Sequence, residues 1–244
     1  MRTIWIIARR EAAAFFDSLA AYILLVAFLG FTGFFTWLYG QDIFFIRQAT
    51  LMPFFSWASI LLTIFVPAIT MRMIAEERKT GTLEFLLTRS VSDWQLVAGK
   101  YLGSMLLVGA ALALTLPYYL SVSLLGKTDH GATLCGYLGL LLLSSALTAV
   151  GIFASSLSAN QIVAFLIALI SNLFCMLLFG LLAQAVPGSS LAGQLLHLLD
   201  FTGHFESLSR GVIDSRDVVF FLSITLLGLV LAEARLAQRN LADA

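Results

Sequence analysis

The sequence predicts an all-α membrane protein with about six transmembrane helices. An N-terminal interfacial amphipathic helix precedes them, a short cytoplasmic helix lies between the second and third, and a re-entrant outer hairpin precedes the last. Three observations carry that prediction. Of the 244 residues, 60% are hydrophobic and only 11% charged, whereas soluble domains carry about a quarter charged residues. Six stretches are each about 20 mostly apolar residues long, the length a helix needs to cross the hydrocarbon core. None has the short alternating pattern of a barrel strand, so helices are left to satisfy the backbone in lipid.

Within residues 1–17, Ile4, Trp5, Ile7, Ala8 and Phe15 alternate with Arg2, Arg9, Arg10 and Glu11 at helical spacing. That predicts an amphipathic helix lying on membrane lipid of the inner leaflet. The apolar run after Ser18 is longer than the core of a cleavable leader, and the acidic Glu11 and Asp17 precede it, so it reads as a first span that stays in place. The spans fall at 19–39, 54–74, 100–123, 133–156, 160–185 and 217–235 of a single transmembrane domain, 1–244. With the N-terminus in the cytoplasm, Arg2, Arg9, Arg10, Arg72, Arg78, Lys79, Arg89, Lys100, Arg235 and Arg239 lie inside. Only Arg47, Lys127, Arg210 and Arg216 lie outside. Cytoplasmic connections are enriched in Lys and Arg, so both termini are expected inside. Pro67 sits within the second span and Pro117 near the outer end of the third, followed by Tyr118 and Tyr119. Membrane helices tolerate such kinks, and the tyrosines suit an aromatic belt. The connection 187–216 opens with Pro187, Gly188 and Ser189 and continues through Leu191, Leu195, Leu196, Leu198 and Leu199. This run is too short to cross, which predicts the re-entrant or interfacial hairpin.

Several function classes lose support. The 14 basic residues balance the 14 acidic ones, and no basic stretch is long enough to track nucleic-acid phosphates. The chain has no G-x-x-x-x-G-K-[ST] loop for nucleotide, no G-x-S-x-G elbow and no H-E-x-x-H pair. His130, His197 and His204 each stand alone without a ligand-spaced companion, and Cys135 and Cys175 are dispersed in apolar stretches, so neither a metal site nor a disulfide framework is predicted. Glu76-Glu77 resembles the glutamate pair of intramembrane prenyl-protein proteases, but Gly81 stands where that family carries an arginine. His204 with Glu206 is the best remaining candidate for a catalytic pair. Asn172, midway along the fifth span, is the notable intramembrane polar residue, and an interhelical hydrogen bond is its expected role.

The loop 75–98 carries the strongest functional signal. Glu76, Glu77, Arg78 and Lys79 continue the second helix beyond the bilayer, and Thr80 and Gly81 allow the chain to turn. Leu83, Leu86 and Leu87 follow Thr82 at i, i+3 and i+4, one apolar face of a short helix that also carries Glu84. A plain connector needs no leucine stripe; a helix that docks in a partner's groove does. Ser90 with Asp93 is expected to cap the next helix, and Gly99 with Gly103 permits close helix approach.

The run Glu77-Arg78-Lys79-Thr80-Gly81-Thr82-Leu83-Glu84-Phe85-Leu86-Leu87, followed by Gly99-Lys100, is similar to the coupling-helix pattern of type-2 ABC transporter permeases. Within that family the chain most resembles the gliding-motility-associated permease and, more loosely, the permease of nitrous-oxide-reductase maturation. The motif Phe201, His204, Phe205 and Glu206, followed by Arg210, Gly211 and Asp214 before the last span, carries this finer likeness. The resemblance implies a non-catalytic permease subunit in a bacterial inner membrane, paired with a second permease copy or a related permease bearing an extracytoplasmic domain. It also implies a dimer of cytoplasmic ABC ATPase subunits that holds ATP and Mg, with the coupling helix of this chain in its cleft. The chain itself is expected to hold no cofactor. A membrane anchor for an envelope machine and a membrane enzyme are the rival readings.

Overall fold

The computed structural model describes residues 2–39, 49–81, 92–186 and 190–242. All regular structure among them is helical. Six of these helical segments are long and apolar enough to cross a membrane: Leu19–Trp37, Met52–Thr80, Asp93–Leu125, His130–Leu157, Gln161–Ala183 and Ser215–Gln238. The chain is an all-helical, multi-pass membrane protein.

Helix α1 (Arg2–Phe16) comes first, and Ser18 caps α2 (Leu19–Trp37), the first span, by accepting from the Ala21 N–H at 3.4 Å. Span two is α3 (Met52–Thr70), a turn at 71–74 and α4 (Ala75–Thr80). Span three is α5 (Asp93–Ala113) and α6 (Leu116–Leu125). Its cap corrects the sequence reading. Ser92 and Gln95, not Ser90 and Asp93, form the capping box, each side chain bonded to the other's backbone N–H at 3.2 and 3.4 Å. Helical bonding runs on past the apolar stretch until a cap stops it. Pro117 divides this span, because proline lacks an N–H and its ring crowds the carbonyl four residues back. Helix α5 stops at that residue, Ala113, and the Thr115 hydroxyl donates to the Leu112 carbonyl at 2.6 Å across the break.

Span four is α7 (His130–Leu157). Span five is α8 (Gln161–Leu173), a π-helical turn (Phe174–Leu178) and α9 (Phe179–Ala185). Two short helices follow in the stretch expected as the hairpin, α10 (Leu191–Leu198) and α11 (Phe201–Ser209), and then α12 (Ser215–Ala242), span six.

Span four is the hub. Spans two, three, five and six and α11 all pack on it. Of its most apolar window 72% is buried, against 22% for span five. Lipid is as apolar as leucine, so helices associate by close packing rather than by hydrophobic transfer. Small residues along α7 permit this: Gly136 receives the Phe55 ring, Gly139 receives Leu208 of α11, and Gly151 receives Thr70.

Helix α1 does not rest on lipid alone. Ile7, Ala8 and Phe15, read from sequence as its lipid-facing side, are buried against protein, while Trp5 and Ile6 remain on the surface. Gly99 and Gly103 of span three admit it. A Cβ at these positions would lie 2.7 Å from the Ile7 side chain and 2.8 Å from that of Glu11.

Candidate functional site

The end of the bundle at α1 is built around the break in span two. Where α3 stops, the Met71 carbonyl and the N–H groups of Ile74 and Ala75 lack helical partners. Ser155, near the end of span four, supplies them. Its hydroxyl accepts from the N–H groups of Ile74 and Ala75 and donates to the Met71 carbonyl, each at 3.1 Å. One turn further on, Arg78 donates to the Ser156 carbonyl at 2.9 Å. The segment ahead of residue 82 is thereby bolted to the hub helix at four points. Gly81 ends α4 with φ +72°, a left-handed conformation that a side chain would strain.

Beside this bolt lies a closed ring of four alternating charges drawn from three elements. Lys100 Nζ of span three is 2.8 Å from Glu77 Oε1 of α4 and 3.3 Å from Glu11 Oε1 of α1. Arg10 Nη2 of α1 is 2.8 Å from the same Glu11 oxygen and 3.3 Å from the same Glu77 oxygen. Lys100 is only 1% exposed. A buried ammonium costs several kcal/mol unless it is paired, and here two carboxylates face it. Burial pushes the Glu11 carboxyl up, but Lys100 and Arg10 more than offset this and hold it below the ordinary glutamate range. The hydrogen bond to Glu11 in turn raises the Arg10 guanidinium above its usual value. A cavity of about 370 Å³ opens beside the ring, with Arg72 and Glu76 on its wall. The Arg72 guanidinium lies 4.0 Å over the Phe15 ring and donates to Ser18 Oγ at 3.4 Å.

Of the residues singled out in the coupling run, Glu76, Glu77, Arg78, Lys79, Thr80 and Gly81 belong to this junction. Thr82, Leu83, Glu84, Leu86 and Leu87 lie outside the described residues. Sequence reasoning missed Ser155, and it noted Glu11 and Lys100 without their role. The one available signal was a lysine at the start of an apolar span, where an unpaired charge would not be expected.

At the hairpin end, Phe201 and Phe205 are buried in the core. His204, read from sequence as standing alone, has a partner: its Nδ1 is 2.7 Å from Asp217 Oδ1 at the start of span six, and its ring stacks on Phe220. Glu206 instead pairs with Arg210 at 2.7 Å on the surface, so the candidate catalytic pair His204 and Glu206 is not assembled. Gly211 turns against Ala132 with φ +90°, and Asp214 Oδ1 accepts from the Arg216 N–H at 2.9 Å. Thr202 donates to the Met176 carbonyl at 2.8 Å, in the π-helical turn of span five, where the α-helical ladder is interrupted.

Asn172 is fully buried, yet neither amide atom has a hydrogen-bond partner among the described residues. The interhelical bond expected of it is not made among the described residues. Hydroxyls take that role instead: Tyr101, Ser145 and Thr225 link spans three, four and six at 2.7 and 2.8 Å. No group of His, Cys, Asp and Glu among the described residues could hold a metal ion.

No curated protein matches the chain. A family model described as "ABC-2 family transporter protein" matches residues 42–232. That range takes in spans two to five, the hairpin and most of span six, together with the ring residues Glu77 and Lys100. The chain therefore belongs to the ABC-2 family of transporter proteins, as a membrane-spanning permease subunit.

Proposed function

We propose that this permease converts ATP-driven motion of a separate cytoplasmic ATPase dimer into rearrangement of its own spans, for export or for conformational signalling across a bacterial inner membrane. The α1 end then faces the cytoplasm with both termini, and the coupling helix expected at about 77–89 sits in the ATPase cleft. ATP and Mg belong to that partner. A second copy of this chain, or a related permease with an extracytoplasmic domain, completes the pore. The outer motif Phe201, His204, Phe205, Glu206, Arg210, Gly211 and Asp214 supports a place in the gliding-motility branch.

One observation supports the coupling reading above others. The segment leading into the docking loop is bonded to span four through Ser155 and Ser156 and to span three through Lys100. Movement of residues 74–78 therefore bears on spans two, three and four at once. Small movements become discrete changes when the elements they displace are closely packed. The test is affinity purification of the full chain from its host, wild type and L83Q/L86Q/L87Q. The wild type is expected to bring down an ATPase with nucleotide-stimulated turnover, and the triple variant to lose it. Retention of the partner at wild-type level by the triple variant overturns the reading. A bare membrane anchor would show no stimulation.

A further inference from the structure

We infer that Lys100 is a positioning residue that makes α1 a moving part of the coupling device, carried with the docking segment through the ring Lys100–Glu77–Arg10–Glu11. The inference rests on the coupling reading above and extends it to a helix that lies outside the six spans.

The ring is closed and economical. One oxygen of Glu77 and one of Glu11 each accept from both Lys100 and Arg10, at 2.8 and 3.3 Å. Three elements meet there and at no other polar point shared by all of them among the described residues. Glu77 stands four residues before Gly81, on the last turn ahead of the loop. Lys100 lies at the foot of span three, between Gly99 and Gly103, which seat α1.

Stability is a weak reason for such a ring, because apolar side chains of similar volume often serve a buried site equally well. The range of the force is a better one. Dispersion contacts lose much of their attraction over a gap of about 1 Å. A Coulomb attraction falls only as the inverse of distance, so drawing a pair from about 3 Å to about 6 Å leaves roughly half of it. An ionic link can therefore follow a displaced segment across distances at which packing alone would let go. Arg72, stacked on Phe15 and bonded to Ser18, holds the far end of α1 to the same segment. The end of α1 near Gly99 is held by the ring and by the packing of Ile7 and Ala8 on span three around the glycine seat.

The test uses the complex purified with its ATPase, in a C135S/C175S background. Spin labels go on the exposed positions Arg9→Cys in α1 and Lys79→Cys in α4, each paired with exposed Ser121→Cys at the other end of the bundle. Distances are compared between the nucleotide-free and the ATP–vanadate-trapped states. Both pairs are expected to shift in the otherwise wild-type complex. K100M should keep the Lys79→Cys shift and lose at least half of the Arg9→Cys shift, and K100R should restore it. Because K100M leaves one negative charge in excess around Arg10, R10Q/E11Q/E77Q/K100M serves as the neutral counterpart and should behave as K100M does. A full Arg9→Cys shift in both K100M and the neutral quadruple variant overturns the inference, as does an unmoved Arg9→Cys in the wild-type ring. No shift at Lys79→Cys in the wild-type ring overturns the coupling reading itself, and the inference with it.

Discussion

Replacing Ser155 by alanine removes three hydrogen bonds at once from the break in span two. The N–H groups of Ile74 and Ala75 and the carbonyl of Met71 all lose their partner. Ser155, Ile74 and Ala75 are fully buried, so water does not replace the hydroxyl without a local opening. Each buried group left unsatisfied costs about 1–3 kcal/mol. Allowing for partial relaxation of the turn, S155A should destabilise the protein by about 2–5 kcal/mol. At about 2–4 °C per kcal/mol for a chain of this size, Tm should fall by roughly 5–15 °C. Its neighbour provides the control. Ser156 is equally buried, but among the described residues its hydroxyl bonds only the Phe153 carbonyl of its own helix, while its contribution to the junction is the backbone carbonyl that takes Arg78. S156A should therefore cost about 1 kcal/mol or less. Thermal melts of both variants in one detergent decide the matter. If S155A falls no further than S156A, the bolt is not what holds the segment to span four.

Two other outcomes follow from the same structure. Because Glu11 is held below its ordinary range, the stability it contributes is present above the unfolded pKa and is lost as pH falls through the lower, folded value. Melts should thus show a ring contribution that is flat from neutral pH down to about 4.3 and declines below that, and E11Q should remove this acid limb while leaving the neutral plateau lowered. At the hairpin end, H204A leaves the buried Asp217 carboxylate without its one partner among the described residues, a loss of about 3 kcal/mol. H204A/D217A should recover most of it, and a double variant as unstable as the single one would show that the pair does not tie α11 to span six.

The junction at α1 was half legible. Glu77, Arg78 and Gly81 stand in a charged run between two apolar spans, where the change in composition is plain in one dimension. Lys100 was equally visible, but its partners lie 23 and 89 residues away along the chain, and nothing in hydropathy or helical period connects such positions. Ser155 was hidden for a different reason: it sits in a small-residue stretch of span four that reads as packing surface, which it also is. The cap at Ser92 was misplaced by two residues because two serines in the same short stretch satisfy similar spacing rules. Asn172 was visible as an oddity, and its lack of a partner among the described residues could be known only once its neighbours were placed.

Taken alone, the sequence determined the solvent of this protein and hence its architecture. Six apolar stretches of membrane length leave the backbone no way to bond except along each helix, whatever the helices later touch. It also determined where the charge and the turn between spans two and three lie, because these are local features. The order of packing was decided only in three dimensions. Which span becomes the hub, that α1 is seated on two glycines, and that four charges from three elements close into a ring all depend on contacts between distant residues. In lipid those contacts follow from shape and polar pairing, not from apolarity, which every span shares.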